Sequence, residues 1–243
     1  MSEIKFGTDG WRAIIAKDFT VENVARITHA TADWVLHNFD NPSVVIGHDC
    51  RFGGALFTET AVKVLHSKGI KVFMSNDFIS TPMISLATKQ LNASVGIVIT
   101  ASHNPPSYNG YKLKGNYGGP LTSEKIQEVE NLIPDQISIQ LDQIDLNLAI
   151  ESGNVQIVDF EQMYIDAVET AFDLDAIRNA GLHFAYDAMY GAGQNVLKRL
   201  LPEMTFLHCD YNPSFMGQAP EPIEKNLNEF SELIKNDGTI AAG

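Results

Sequence analysis

Cysteine is nearly absent: Cys50 and Cys209 are the two in 243 residues, far apart and without metal-ligand spacing. That excludes a disulfide framework and a cysteine-built zinc site, and it fits reduced thiols in a cytoplasmic protein. Basic residues are scarce too, with 17 Lys and Arg against 30 Asp and Glu, a formal net charge of −13. Nucleic acids and anionic membranes recruit clustered Lys and Arg, so neither is expected as a partner. A small phosphorylated ligand is not excluded, because a few converging donors hold such an anion whatever the net charge. No apolar run approaches about 18 residues, and Met1-Ser2-Glu3-Ile4-Lys5 lacks a basic segment followed by an apolar core, so no membrane span or export signal is read. There is no internal repeat, no low-complexity tract and no Gly-x-Ser-x-Gly string.

What is present is alternation. Thr20 is placed to cap a helix running through Trp34 and Val35. A strand at residues 44–46, a helix over 55–67 ended by Gly69, and a strand at 70–74 follow. Thr81-Pro82 is expected to open the next helix, with the threonine hydroxyl as cap and the proline at the first helical position. It ends near Leu91, before an apolar strand that reaches Ile99. Leu121 and Ile126 are placed to staple a helix capped by Thr122. Residues 134–154, rich in Gln, Asp and Asn, are read as the crossing between two units. Beyond it come a helix over 160–172, strands at 182–186 and 204–207, a helix over 226–234, and a strand beginning near Thr239. This order predicts the α/β class: two three-layer α/β/α domains with parallel-rich mixed sheets, over residues 1–140 and 155–243, the second incomplete. Ligands then belong near the carboxyl ends of the strands.

Those ends carry the chemistry. Asp49 and Arg51 follow one strand, while Thr100-Ala101-Ser102-His103-Asn104-Pro105 follows another, with Asn109-Gly110-Tyr111-Lys112 after it. A hydroxyl, an imidazole and an ammonium therefore cluster at a strand end. A serine hydrolase pair is one reading of Ser102 and His103. Adjacent loop residues, however, rarely set an imidazole in line with the hydroxyl it must deprotonate. A module that only binds phosphosugar or another subunit is a second alternative. Gly191-Ala192-Gly193 lacks a full dinucleotide fingerprint and reads as a tight structural turn.

The string around Ser102, with Asn109-Gly110 and Lys112 at its offset, resembles the phosphoserine loop of the α-D-phosphohexomutases, which include phosphoglucomutase and phosphomannomutase. Phe6-Gly7-Thr8-Asp9-Gly10-Trp11-Arg12 is similar to the family's N-terminal signature, and Gly47-His48-Asp49-Cys50-Arg51 to its Gly-x-Asp-x-Arg element. Tyr186-Asp187-Ala188-Met189-Tyr190-Gly191-Ala192-Gly193, Asn212-Pro213, Pro220-Glu221-Pro222 and Asn226-Leu227 resemble the second domain.

The resemblance implies an intramolecular phosphotransferase that interconverts hexose 1-phosphate and hexose 6-phosphate through a phosphoserine and a bisphosphorylated sugar. Ser102 would carry the phosphoryl group and Lys112 would be the general acid/base. His103 would contact phosphate or substrate, or fix the loop. Thr8, Arg12, Arg51 and Asn104 would bind substrate, Arg51 having pairing with Asp49 as its competing role. The implied cofactors are Mg²⁺, with the Ser102 phosphate as one ligand, and a hexose 1,6-bisphosphate activator; the implied partner is a phosphorylated hexose. Around the loop the sequence looks more like a phosphogluco/phosphomannomutase than a phosphoglucosamine mutase. The family's Asp-Gly-Asp-x-Asp-Arg metal loop has no counterpart here. The chain is read as stopping a few residues short of it, at a cloned boundary or in a truncated frame. Such a fragment is expected to be inactive alone, with an unpaired edge at 239–242 that invites self-association.

Overall fold

A computed structural model of the chain describes residues 4–7 and 10–243. The first unit runs β1 (Trp11–Ile14), α1 (Val21–Asn38), β2 (Ser43–His48), α2 (Gly54–Ser67), β3 (Lys71–Ser75), α3 (Thr81–Gln90), β4 (Val95–Ile99), β5 (Tyr108–Gly115), α4 (Ser123–Asn131), α5 (Leu146–Glu151) and β6 (Val155–Val158). The second runs α6 (Phe160–Ala171), α7 (Leu174–Arg178), β7 (His183–Asp187), α8 (Val196–Leu200), β8 (Thr205–Leu207), α9 (Asn228–Asn236) and β9 (Ile240–Ala242). The six-stranded sheet has the order β1-β5-β4-β2-β3-β6, with β1, β2, β3, β4 and β6 running one way and β5 alone reversed; the second sheet is β8-β7-β9, all parallel.

Local chemistry sets the helix starts. Thr20 accepts the Asn23 N–H at 3.2 Å and Thr122 accepts that of Lys125, so both caps form where the sequence places them. Thr81 does not cap. It is the first helical residue and Pro82 the second, while Ser80 occupies the cap position and makes no side-chain cap bond. Pro82 fits there because the first-turn N–H groups have no helical acceptor to lose.

β4 is buried along its whole length. Val95, Ile97 and Ile99 join one core with Val24, Ile27 and Val35 of α1 and Ala61 and Leu65 of α2. Val98 joins a second core with Val45, Met83 and Ile84, under α3 and α6. Burial on both faces is what a central parallel strand between helical layers requires.

Three features depart from the sequence reading. β5 is a polar, glycine-containing strand and β1 a four-residue one, neither announced by periodicity, so the Ser102 loop joins two antiparallel strands rather than leading from a strand to a helix. Residues 134–154 are not a bare crossing, since they hold α5, capped by Asp145. Finally, β6 adds to the first sheet beside β3, with Val72 opposite Val155, so the second unit's own sheet starts at β7.

Candidate active site

Ser102 adopts φ +56°, a left-handed conformation that costs a residue with a Cβ and persists where surroundings enforce it. The enforcement is visible in the hydrogen bonds. Ser102 N–H donates to Thr100 Oγ1 at 3.0 Å, and the Thr100 hydroxyl donates in turn to Asp49 Oδ2. The Asn104 N–H reaches the Ala101 carbonyl and the Tyr108 N–H that of Pro105. With its backbone held, the loop leaves the side chains of Ser102 and His103 exposed. Ser102 Oγ lies 3.4 Å from His103 Nδ1, beyond the roughly 2.6–3.2 Å reach of a working base.

Arg51 holds the other side of the loop. Its side chain is fully buried; Nη1 donates to the carbonyls of Pro105 (2.8 Å) and Tyr108 (3.1 Å), and Nη2 to those of Ser102 and Asn104 (both 2.7 Å). Nε faces Asp49 Oδ2 at 3.3 Å, and the Arg51 N–H donates to Asp49 Oδ1 at 2.9 Å. A planar fork aimed at four loop carbonyls suits guanidinium and would not suit an ammonium. Of the two roles open to Arg51, this geometry carries the loop-holding one and leaves no terminal donor for a substrate phosphate. Burial pushes the Asp49 carboxyl up, opposed by the Arg51 cation and the Thr100 hydroxyl.

Arg12 comes to the same loop through β1, where Nη1 donates to Asn104 Oδ1 at 2.8 Å. Its strand lies close to β5: a Cβ on Gly110 would stand 2.8 Å from the Trp11 carbonyl oxygen and nearer still to that of Thr100. Lys112 shares the face of Gly110 and Arg12, opposite Val98, and is 5% exposed. Gly10, at φ +95°, lets the N-terminal segment cross the lysine stem, since a Cβ there would meet Lys112 Cγ at 2.7 Å. Lys112 is not among the residues lining the cleft described next, and Thr8 and Asp9 lie outside the described residues.

A cleft of about 440 Å³ opens beside Ser102, with Asp49, Thr100 and His103 on one side and Asp187, Gly191, Phe215 and Pro220 of the second unit on the other. The units touch directly there. Gln194 Nε2 donates to Cys50 Sγ at 3.4 Å and to the Gly191 carbonyl at 3.0 Å, and the Phe78 and Tyr211 rings stack with centroids 5.8 Å apart. The Gly191 N–H closes a turn onto the Ala188 carbonyl at 2.7 Å, in keeping with a structural role for Gly191-Ala192-Gly193.

Sequence reasoning missed Asp187 and His208. Asp187 Oδ1 accepts the Met189 N–H at 2.8 Å and lies 2.8 Å from His208 Nδ1, whose other ring nitrogen is 3.3 Å from Glu229. A signal was present: Asp49 and Asp187 each stand at a strand's carboxyl end and accept the N–H two residues on. Among the described residues no group of three or more His, Cys, Asp or Glu is arranged to hold a metal ion, and the Asp49 and Asp187 carboxylates already have partners. These residues alone do not fit the Mg²⁺ site that the resemblance implies, and no step is derived through it.

Comparison with known proteins accounts for this arrangement. Residues 3–139 match the family described as phosphoglucomutase/phosphomannomutase, alpha/beta/alpha domain I, and residues 162–243 match its domain II. A phosphoglucomutase/phosphomannomutase of Thermococcus kodakarensis is 33% identical, over 95% of this chain and 50% of its own length. A phosphoglucosamine mutase of Bacillus cereus is 32% identical, over 96% and 51%. The crystal structure of a presumptive phosphomannomutase of Thermus thermophilus superposes with a TM-score of 0.86 at 31% identity, over 97% of this chain and 53% of that one. The chain thus spans about half the length of the relatives it matches. It belongs to the phosphoglucomutase/phosphomannomutase family and carries residues of that family's first two α/β/α domains.

Proposed function

We propose that Ser102 is the phosphoryl carrier of an α-D-phosphohexomutase, exchanging a phosphoryl group with hexose 1-phosphate and hexose 6-phosphate by way of the 1,6-bisphosphate. The observation that carries this reading is the Ser102 hydroxyl, exposed at the cleft from a left-handed loop whose carbonyls are tied to a buried arginine. A carrier must present its oxygen in one geometry to two substrate orientations, and phosphoryl transfer is catalysed largely by such positioning and by charge neutralisation.

In the transfer to sugar, the attacking hydroxyl gives its proton to Lys112 in its amine form and its oxygen bonds to phosphorus. The phosphorus bond to Ser102 Oγ breaks, and that oxygen takes up a proton from water. The second transfer returns the other phosphoryl group to Ser102, so the sum is an isomerisation. Arg12, with Asn104, supports the loop on the sheet side and offers positive charge to substrate phosphate, and His103 stands next to the phosphorylated oxygen. Mg²⁺ would supply charge neutralisation on the phosphate when bound. Among the described residues no carboxylate set is arranged to hold it, and the 243-residue chain by itself is expected not to turn over hexose phosphate.

Intact mass and peptide mapping of a polypeptide that also supplies the remaining half of the relatives' length, after incubation with glucose 1,6-bisphosphate and Mg²⁺, should place one phosphoryl group on Ser102. A phosphoryl group on Ser107 or Ser123 instead sinks the assignment. A coupled mutase assay on the 243-residue chain should show no turnover, and sustained turnover would show that a catalytic metal set lies within these residues.

A further inference from the structure

The guanidinium that holds the Ser102 loop also meets the second unit. Phe215, from the second unit, lies over it: Arg51 Cζ is 5.0 Å from the Phe215 ring centroid, and Phe215 is 3% exposed. The backbone is bent to put the ring there. Phe215 and Met216 both take left-handed φ, +48° and +54°, rare for bulky residues, and the turn is closed by Gly217 N–H to Ser214 carbonyl and Gln218 N–H to Phe215 carbonyl bonds. Met216 beside it is 69% exposed, so the strained turn buries one side chain and not its neighbour.

We propose that Phe215 is a positioning residue for the Ser102 loop: its ring seals the Arg51 guanidinium from water, so that the four loop carbonyls remain the cation's acceptors. A ring face attracts a guanidinium through its quadrupole, more strongly when water is excluded. Water admitted over Arg51 would compete with the carbonyls of Ser102 and Asn104, the contacts that hold Ser102 left-handed. The second unit thereby sets the geometry of a hydroxyl that the first unit carries. The link to phosphoryl transfer rests on the proposed role of Ser102, whereas the link to loop order does not.

The test is hydrogen exchange at the Ser102, Asn104 and Tyr108 amides in the 243-residue chain, with phosphoryl uptake on Ser102 from glucose 1,6-bisphosphate and Mg²⁺ measured in parallel in a polypeptide that also supplies the remaining half of the relatives' length. Phe215→Ala should speed exchange at these amides about ten-fold or more while amides of β2 and β4 stay protected. Phe215→Tyr, which keeps the ring, should restore wild-type rates. If Phe215→Ala does not fold, Phe215→Leu decides: it fills the space without a π face and should give intermediate exchange. Wild-type exchange in both Ala and Leu variants, or equal acceleration in Ala and Tyr variants, overturns the proposal. Slower phosphoryl uptake in Phe215→Ala, rescued in Phe215→Tyr, extends it to transfer. If the longer wild-type polypeptide takes up no phosphoryl group, the carrier role of Ser102 fails and the exchange rates still decide the positioning role.

Discussion

Arg51→Met removes the buried cation that ties Asp49 to the Ser102 loop, and its cost follows from the hydrogen bonds and the ion pair that go with it. Summing about 1.5–3 kcal/mol for each of four charge-assisted bonds would reach roughly 6–12 kcal/mol, comparable to the whole stability of a domain. That sum overshoots, because Ser102 and His103 are exposed and water can replace the guanidinium at the outer carbonyls. The inner loss is the pairing of Asp49, and removing one partner of a buried pair costs about 3–5 kcal/mol. Methionine fills the arginine stem's volume, so the figure is not inflated by a cavity. Both tryptophans, Trp11 and Trp34, sit in the first core at 5% and 3% exposure, so their fluorescence reports the unit that holds Arg51. With a urea m-value of about 1–3 kcal/mol/M, the midpoint should fall by about 1–5 M. Arg51→Lys, a charge without the fork, should fall by less. Asp49→Asn combined with Arg51→Met should recover part of the loss, since no carboxylate is then left unpaired. A midpoint within about 0.3 M of wild type for Arg51→Met, at unchanged m-value, refutes the view that this cation organises the loop.

Two further outcomes are expected. In a polypeptide that also supplies the remaining half of the relatives' length, Lys112→Met should lower kcat by about 10²–10⁴-fold with a smaller change in KM, measured at saturating bisphosphate; unchanged kcat would remove Lys112 from proton transfer. Burial pushes both thiols up, that of Cys50 further with help from Asp49, so both should alkylate far more slowly than a free thiol at pH 8 and react fully in urea. The sign of the linked stability follows: above the unfolded thiol's pKa of about 8.5 the unfolded chain releases protons that the native chain keeps, so stability should fall as pH rises from about 8 to 10. A urea midpoint that rises over that range would contradict it.

The central layers were legible because their signals are local. Thr20 and Thr122 are caps with hydroxyls, and Val95 to Ile99 is apolar at every position but Gly96, as a strand buried on both faces must be. β5 was not, since Asn109-Gly110 and Lys112 read as loop; their burial comes from β1 and β4 on either side, which no window of sequence contains. The same limit applies to the site. Ser102 and Arg51 stand in recognisable strings, but the division of labour between them depends on distances across 51 positions of chain. Phe215 became visible only where a loop of the second unit met Arg51, and His208 only where the end of β8 met Asp187.

The core under α3 and α6 bears on how such a protein can be rebuilt or recombined. Val45, Ile79, Met83 and Ile84 of the first unit share it with Phe160, Ile165, Leu174, Val196 and Leu200 of the second. A seam of this kind does not behave as a linker that can be cut and rejoined. A chimera that takes its second unit from a relative at about one-third identity would juxtapose two half-cores shaped for other partners, and mismatches of a methylene or two in a close-packed interior are felt. A crossover upstream of Val155 does not escape this, because α6 then comes from the relative while α3 does not and β6 meets a foreign β3, so the facing residues on α3 must be exchanged along with the second unit.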